Sequence, residues 1–423
     1  MAADAETLIR EIVGVFAAGA WRDEWVPTVA RAKTLALAHP AAVERLAAEC
    51  IGRRVDAMTV LDAALSWLPA GRWPTLVARA VPALVDDAGN RAARAVVEYA
   101  SLQQPDAVHP HLEPLLRLPY YHDFPYRNEP FRHAPAAATA FLLPMIRHGA
   151  ADARRRASYA LLESRRPDAF AFVAEHAPEH LDYLPAIGFA GHAGAFRQLY
   201  PDACFHLGFP AAYRDRMAVS TSGNNWDRVH PTWVRASSPA PTQRFGGVTG
   251  ATCDTCGERV MHILTLAPVP GGLGVTGLDQ LELGTCFPCL ARVETPAYQH
   301  DATGRPHPIR LARARPPTSA PGAMLVETAI ALADLGPRWR WQDWGATNGR
   351  ENLTRVGGFP AWVQHAQHPV CPQCDRTMTF LMQFDVEDEL PTTDGGQFYL
   401  GDGLCYAFWC DRCRVSAYRV QST

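Results

Sequence analysis

Lysine is almost absent from this chain of 423 residues, where Lys33 stands against 39 arginines. So lopsided a ratio, in an alanine-rich chain, reads as GC-rich codon usage, and runs such as Arg154-Arg155-Arg156 and Arg165-Arg166 are discounted to solvated helix faces. Net charge is nearly absent too. A formal charge of -3 argues against a broad nucleic-acid or anionic-membrane surface. No apolar run approaches the eighteen or more residues of a membrane span. The IVGVFAAGA stretch follows Asp4, Glu6 and Glu11 rather than a basic leader, so no export signal is expected. The chain also lacks a G-x-S-x-G elbow, a Walker loop and a G-x-G-x-x-G fingerprint. The H-x-x-E-H pattern at His176-Ala177-Pro178-Glu179-His180 would suit a zinc hydrolase on one continuous helix. Pro178 belongs in a first helical turn instead, which leaves His176 outside that helix and removes the i, i+4 geometry. Finally, eleven cysteines are an odd number for a disulfide framework, and thiols kept as such belong in a reducing, cytoplasmic compartment.

What is present is a pattern of cysteine pairs. CPQC (Cys371, Cys374) is answered by CDRC (Cys410, Cys413), and earlier CDTC (Cys253, Cys256) is answered by CFPC (Cys286, Cys289). Two thiolate pairs are what one closed tetrahedral site needs, so two structural Zn2+ ions are expected. The pairs are 29 residues apart in the first copy and 35 in the second, room for strands between them. Arg244-Phe245-Gly246-Gly247 precedes the first copy as Arg355-Val356-Gly357-Gly358 precedes the second, which indicates an internal duplication. The rival readings are free core cysteines, a redox CxxC and disulfides, and sharing of ligands between the copies remains open. His365 and His368 are expected beside the second site rather than on its metal.

The fold class expected is α+β and multidomain. Residues 1–200 read as helical, with apolar faces such as Ile9, Ile12, Val13, Phe16 and Val43, Leu46, Ala47, Cys50. Residues 94–107 resemble 156–169 at an offset of 62, which favours a HEAT-like solenoid over a plain bundle. The aromatic loop Pro119 to Tyr126 interrupts it, either gripping a partner or plugging a seam. Residues 201–294 hold a connector and the first zinc-binding β copy. Residues 295–321, with Arg305, Arg310, Arg313 and Arg315, read as a Pro/Arg-rich mobile linker. Residues 322–423 hold the second copy, in which Met378, Phe380, Met382 and Phe384 alternate as on one buried strand face.

RVGGFPAWVQ (Arg355 to Gln364), CPQC-x3-M-x2-L-x-Q (Cys371 to Gln383) and YAFWCDRC (Tyr406 to Cys413) resemble the YwqG-like bacterial family. More distantly, they resemble the eukaryotic programmed-cell-death-two-like proteins. The resemblance covers residues 341–423 most specifically. It implies protein binding without catalysis, chaperone-like or as an immunity protein, through a protein partner and not nucleic acid. On that reading the partner contacts are the turn of Gly357, Gly358, Phe359, Pro360 and Trp362, the acidic segment Asp385, Glu387, Asp388 and Glu389, and the helical face. The alternatives are a nucleic-acid-associated zinc ribbon using the arginine linker, and the metal-dependent hydrolase.

Overall fold

The computed structural model describes residues 2–18, 22–55, 58–118, 129–192, 195–217, 230–234, 242–290, 295–310, 324–344, 351–385, 390–398 and 403–423. The aromatic loop of residues 119–126 lies outside these, as do Arg313, Arg315, Glu387, Asp388 and Glu389. The described residues form two compact units, one up to Ile187 and the other from Gly188 on.

The first unit is helical: α1 (Ala2–Ala17), α2 (Arg22–Ala38), α3 (Pro40–Arg53), α4 (Met58–Leu65), α5 (Trp73–Asp86), α6 (Arg91–Gln103), α7 (Leu112–Leu116), α8 (Ala136–Thr139), α9 (Leu142–His148), α10 (Ala151–Glu163) and α11 (Pro167–His176). The predicted faces are the buried ones. Val43, Leu46, Ala47 and Cys50 all sit inside α3, and Trp73, Leu76, Val77, Ala80, Val81 and Leu84 line the inner stripe of α5 at three- and four-residue spacing. Asn90 caps α6 by accepting from Ala93 N at 3.0 Å. At its other end the buried Arg132 donates to the carbonyls of Ser101 and Leu102, at 2.6 and 2.8 Å. A cation there answers the negative end of the helix dipole. Helices α1, α3 and α5 touch in series, as do α2, α4 and α6, so the first six form two layers.

The second unit holds the strands: β1 (Phe189–His192), β2 (Ala195–Gln198), β3 (Cys204–Gly208), β4 (Gln243–Phe245), β5 (Val248–Thr252), β6 (Arg259–Leu266), β7 (Leu281–Thr285), β8 (Ala297–His300), β9 (Pro306–Pro308), β10 (Thr328–Ala333), β11 (Arg355–Gly357), β12 (Thr379–Asp385), β13 (Leu390–Pro391), β14 (Gln397–Phe398), β15 (Gly403–Cys410) and β16 (Val415–Ser422). Twelve of them make one antiparallel sheet in the order β5-β6-β4-β10-β3-β11-β12-β15-β16-β8-β9, with β7 also on β6. It curls until its ends meet, because Glu282 N on β7 donates to Gly304 O just before β9 at 2.9 Å.

The duplication is visible in the register. Arg244 pairs with Thr265 and Arg355 with Gln383, each the ninth residue after the second cysteine of its CxxC. In both copies a bulge interrupts the next pairing at the seventh such residue, Ile263 or Leu381. One strand is exchanged between the copies. In chain order β3 precedes the first copy, yet it pairs with β11; β10 precedes the second and pairs with β4. His206 faces Arg355 as Ala329 faces Arg244, so positions 208 and 331 are equivalent, and Gly208 pairs with Ala331. A local two-fold therefore passes between them.

Three sequence expectations need correction. The two copies are not separate domains, since one sheet runs through both. The segment 295–321 is not a linker throughout: β8 pairs with β16 and β9 with β8, inside the sheet. The alternation in β12 is broken by the bulge, so Met378 and Phe380 enter one core cluster while Leu381, Met382 and Phe384 enter the other. An extra residue flips every side chain after it, and both faces of this strand are buried.

Candidate metal centres

Each CxxC closes a tight turn. Gly257 N donates to Cys253 O at 2.8 Å and Asp375 N to Cys371 O at 2.9 Å, so the residue after each pair turns back on its first cysteine. Both adopt left-handed backbone, φ 79° at Gly257 and 54° at Asp375. Opposite them, Cys286 and Cys289 bracket a single helical turn after β7, and Cys410 and Cys413 a turn between β15 and β16.

The structure brings all eight predicted cysteines together in two groups of four, Cys253, Cys256, Cys286, Cys289 and Cys371, Cys374, Cys410, Cys413, with the Sγ atoms of each group within 4.8 Å of one another. Pairing is therefore within the copies. All eleven cysteines are free thiols, which removes the disulfide reading. Sγ separations of 3.7 Å (Cys253 to Cys289), 3.3 Å (Cys256 to Cys286) and 3.7 Å (Cys374 to Cys410) are too long for disulfides. They match the tetrahedron edge of about 3.8 Å that a Zn–S bond of about 2.3 Å implies. The donor set thus fits a divalent, thiophilic cation.

The thiols alone also show why a cation belongs there. Hydrogen bonding with Cys286 pulls Cys253 down to about 4, and the Arg376 backbone N–H pulls Cys374 down to about 7. Burial pushes Cys289 and Cys410 up to about 12, and hydrogen bonding to Cys253 raises Cys286. In each cluster one thiol ionises readily beside two that resist it, Cys286 and Cys289 in the first and Cys410 and Cys413 in the second, a conflict a bound dication resolves.

Sequence reasoning missed what holds these turns. Cys286 N donates to the Tyr298 hydroxyl at 2.7 Å, and Gln299 Nε2 donates to Cys413 O at 2.8 Å. Adjacent residues of β8 thus brace both centres. The loop after β6 braces the second centre again: Thr276 donates to Asp411 through its N (2.7 Å) and its Oγ1 (2.6 Å). Arg197 of β2 donates to Thr379 Oγ1 at 3.0 Å and to Thr377 O, which holds its charge within reach of Cys374 and Cys410. His368 bonds Tyr200 Oη at 3.2 Å and His365 bonds Gln367 at 2.8 Å, neither on the thiol cluster.

The other candidates fare differently. The turn expected to face a partner points inward. Gly357, Gly358 and Pro360 are buried, Phe359 stacks on Trp341 with ring centroids 3.4 Å apart, and Trp362 Nε1 donates to Tyr200 Oη at 3.0 Å. Asp385, 3% exposed, is buried as well. His176 ends α11 and Pro178 opens a separate 3-10 turn carrying His180, so the H-x-x-E-H helix does not form. Among the described residues the two histidines share no ligand cluster.

No protein-family model matches the chain, and no solved structure matches it. It is similar to an uncharacterised Salmonella typhimurium protein, YpfL, at 26% identity over 252 residues, 55% of this chain and 55% of that protein. The chain thus spans about half the length of the curated relative it matches. No helix among the described residues is long and apolar enough to cross a membrane.

Proposed function

We propose that the chain is a non-enzymatic, cytoplasmic zinc protein whose two four-cysteine centres are structural and whose role is to bind another protein, in the manner of a chaperone or immunity module. The observation that carries this reading is closure: each cluster supplies four thiol ligands from the protein, which leaves a tetrahedral ion no position for water or substrate. The YwqG-like motifs support a binding role. The two-layer succession of α1 to α6 supports a HEAT-like stack, a scaffold that commonly presents an extended surface to partners.

Elemental analysis of protein purified without added metal tests the first half. Two zinc ions per chain are expected, and fewer in Cys256→Ser and in Cys374→Ser. Zinc-free wild type, or a redox-active metal in its place, would overturn the assignment. The second half is tested by purifying the tagged chain from its native host and rebuilding any complex from purified components. A complex of fixed stoichiometry that Cys374→Ser fails to form supports the reading. Metal-dependent turnover of a small substrate by the isolated chain would refute it.

A further inference from the structure

On the strands that lead into the first metal centre, β5, β7 and β9 enclose a cleft of about 370 Å³, lined by Arg244, Glu282, Arg305 and His307 with Val248, Ala251 and Pro306 between them. That is within the range of small-ligand pockets, roughly 300–1,000 Å³. Its shape depends on a glycine: a Cβ at Gly284 of β7 would stand 2.7 Å from Thr249 Cγ2 and 2.6 Å from Met261 O, so only a bare backbone lets β5 lie across this face. The charges of the cleft are unevenly satisfied. Arg244 is engaged by Glu327 at 3.0 Å and by Val248 O at 3.1 Å, and His307 by Asp301 at 3.1 Å. Glu282 is 8% exposed, yet its carboxylate makes no hydrogen bond or ion pair among the described residues. The exposed Arg305 guanidinium makes none there either. Burial lifts the Glu282 carboxyl above the usual range while Arg244 and Arg305 draw it down. The stem of Glu282 is thus packed away while its carboxylate oxygens open to the cleft, where a ligand can supply the partner the protein does not.

We propose that this cleft binds a small zwitterion of the α-amino acid type, with its ammonium on Glu282 and its carboxylate on Arg305. A simple anion would meet the Glu282 carboxylate, and a simple cation would meet two guanidinium groups. A ligand carrying one charge of each sign satisfies both unpaired groups, and Val248, Ala251 and Pro306 receive a short aliphatic side chain. The site stands independently of the partner-binding reading.

The test is calorimetric titration of the full zinc-loaded chain with each of the twenty standard α-amino acids, and with the N-acetyl and carboxamide forms of any that bind. Saturable binding at one site per chain is expected. Each blocked form should bind at least about tenfold more weakly, the worth of one charge-assisted hydrogen bond. Glu282→Gln and Arg305→Gln should each weaken binding by a similar factor while zinc content stays unchanged. Binding by no amino acid overturns the proposal, as does an N-acetyl form that binds equally well (an anion site) or a carboxamide that does (a cation site). Arg305 is exposed, so its variant and the blocked ligands decide the matter even if Glu282→Gln fails to fold.

Discussion

Gly246 and Gly357 occupy the same point of the two copies, with φ 75° and 73°, and each lies against a residue just before an exchanged strand. A Cβ on Gly357 would stand 2.1 Å from Ala203 O, and one on Gly246 2.4 Å from Val326 O. Since 203 and 326 are themselves equivalent positions, the glycines fix how β3 and β10 enter the sheet. Gly357→Ala should therefore destabilise the protein by about 2–4 kcal/mol, strain in the left-handed region plus displacement of a backbone carbonyl. Urea unfolding reads this, and a loss below about 0.5 kcal/mol would contradict it. Buried histidines make the second residue-scale prediction. His262 bonds Gly246 O and Thr265 Oγ1, both at 2.7 Å, and His300 bonds Gly304 O at 3.1 Å and Ser416 Oγ at 2.9 Å. Burial lowers both rings to about 4 from the usual 6.5. Between those values the unfolded chain binds protons that the folded chain does not, so stability is full above 6.5 and is lost as pH falls toward 4. Each ring should cost about 2 kcal/mol at pH 5 relative to pH 7. His300→Gln should narrow its stability gap to wild type by that amount at pH 5, and a gap independent of pH would sink the argument.

At the scale of elements, β8 connects the two halves, because consecutive residues of one short strand reach different metal centres. Tyr298→Phe keeps the buried ring and strands the Cys286 N–H, which costs about 1–3 kcal/mol. Its effect should fall first on the Cys253 centre. Gln299→Ala removes the donor to Cys413 O and should fall on the Cys371 centre. Chelator-driven zinc release, resolved into two phases and assigned by which cysteines become open to alkylation in each, checks this: Tyr298→Phe should most hasten release from the Cys253 centre and Gln299→Ala that from the Cys371 centre. If both variants hasten the same phase, β8 is not the divided brace described above. Nothing in residues 295–321 announced this role. Six prolines and a run of arginines masked two strands, one of which finds its partners, Ala417 and Ser416, over a hundred residues further on.

In the whole molecule, the features legible in the sequence were the short-range ones. A CxxC, a pair of glycines and a helical stripe each state their geometry within ten residues, and the eight cysteines, the duplication and the buried face of α3 were found from them. Strand exchange was invisible, since β3 meets β11 across some 150 residues and no local pattern encodes that choice. The cleft was equally hidden, because Glu282 and Arg305 carry no motif and are joined only by the curl of the sheet. This non-local wiring changes what losing the proposed zinc from one centre should do. Two independent sites would leave one copy folded when the other is emptied. Here Thr276, from the loop between β6 and β7 of the first copy, holds the second copy's CDRC turn, neighbouring residues of β8 brace one centre each, and β10 and β3 tie each copy to the other. Cys256→Ser should therefore not only lose its own ion but also loosen the other, raising the rate of zinc release from the Cys371 centre at least about tenfold. The worth of a structural zinc, roughly 10–16 kcal/mol in small peptides, is comparable with the whole stability of a domain. The helical unit has its own core, so far-UV circular dichroism should keep most of its helical signal while the sheet's near-UV tryptophan signal collapses in one transition. Two separate transitions would mean that each copy stands on its own metal, and that the exchanged strands carry less of the coupling than their register implies.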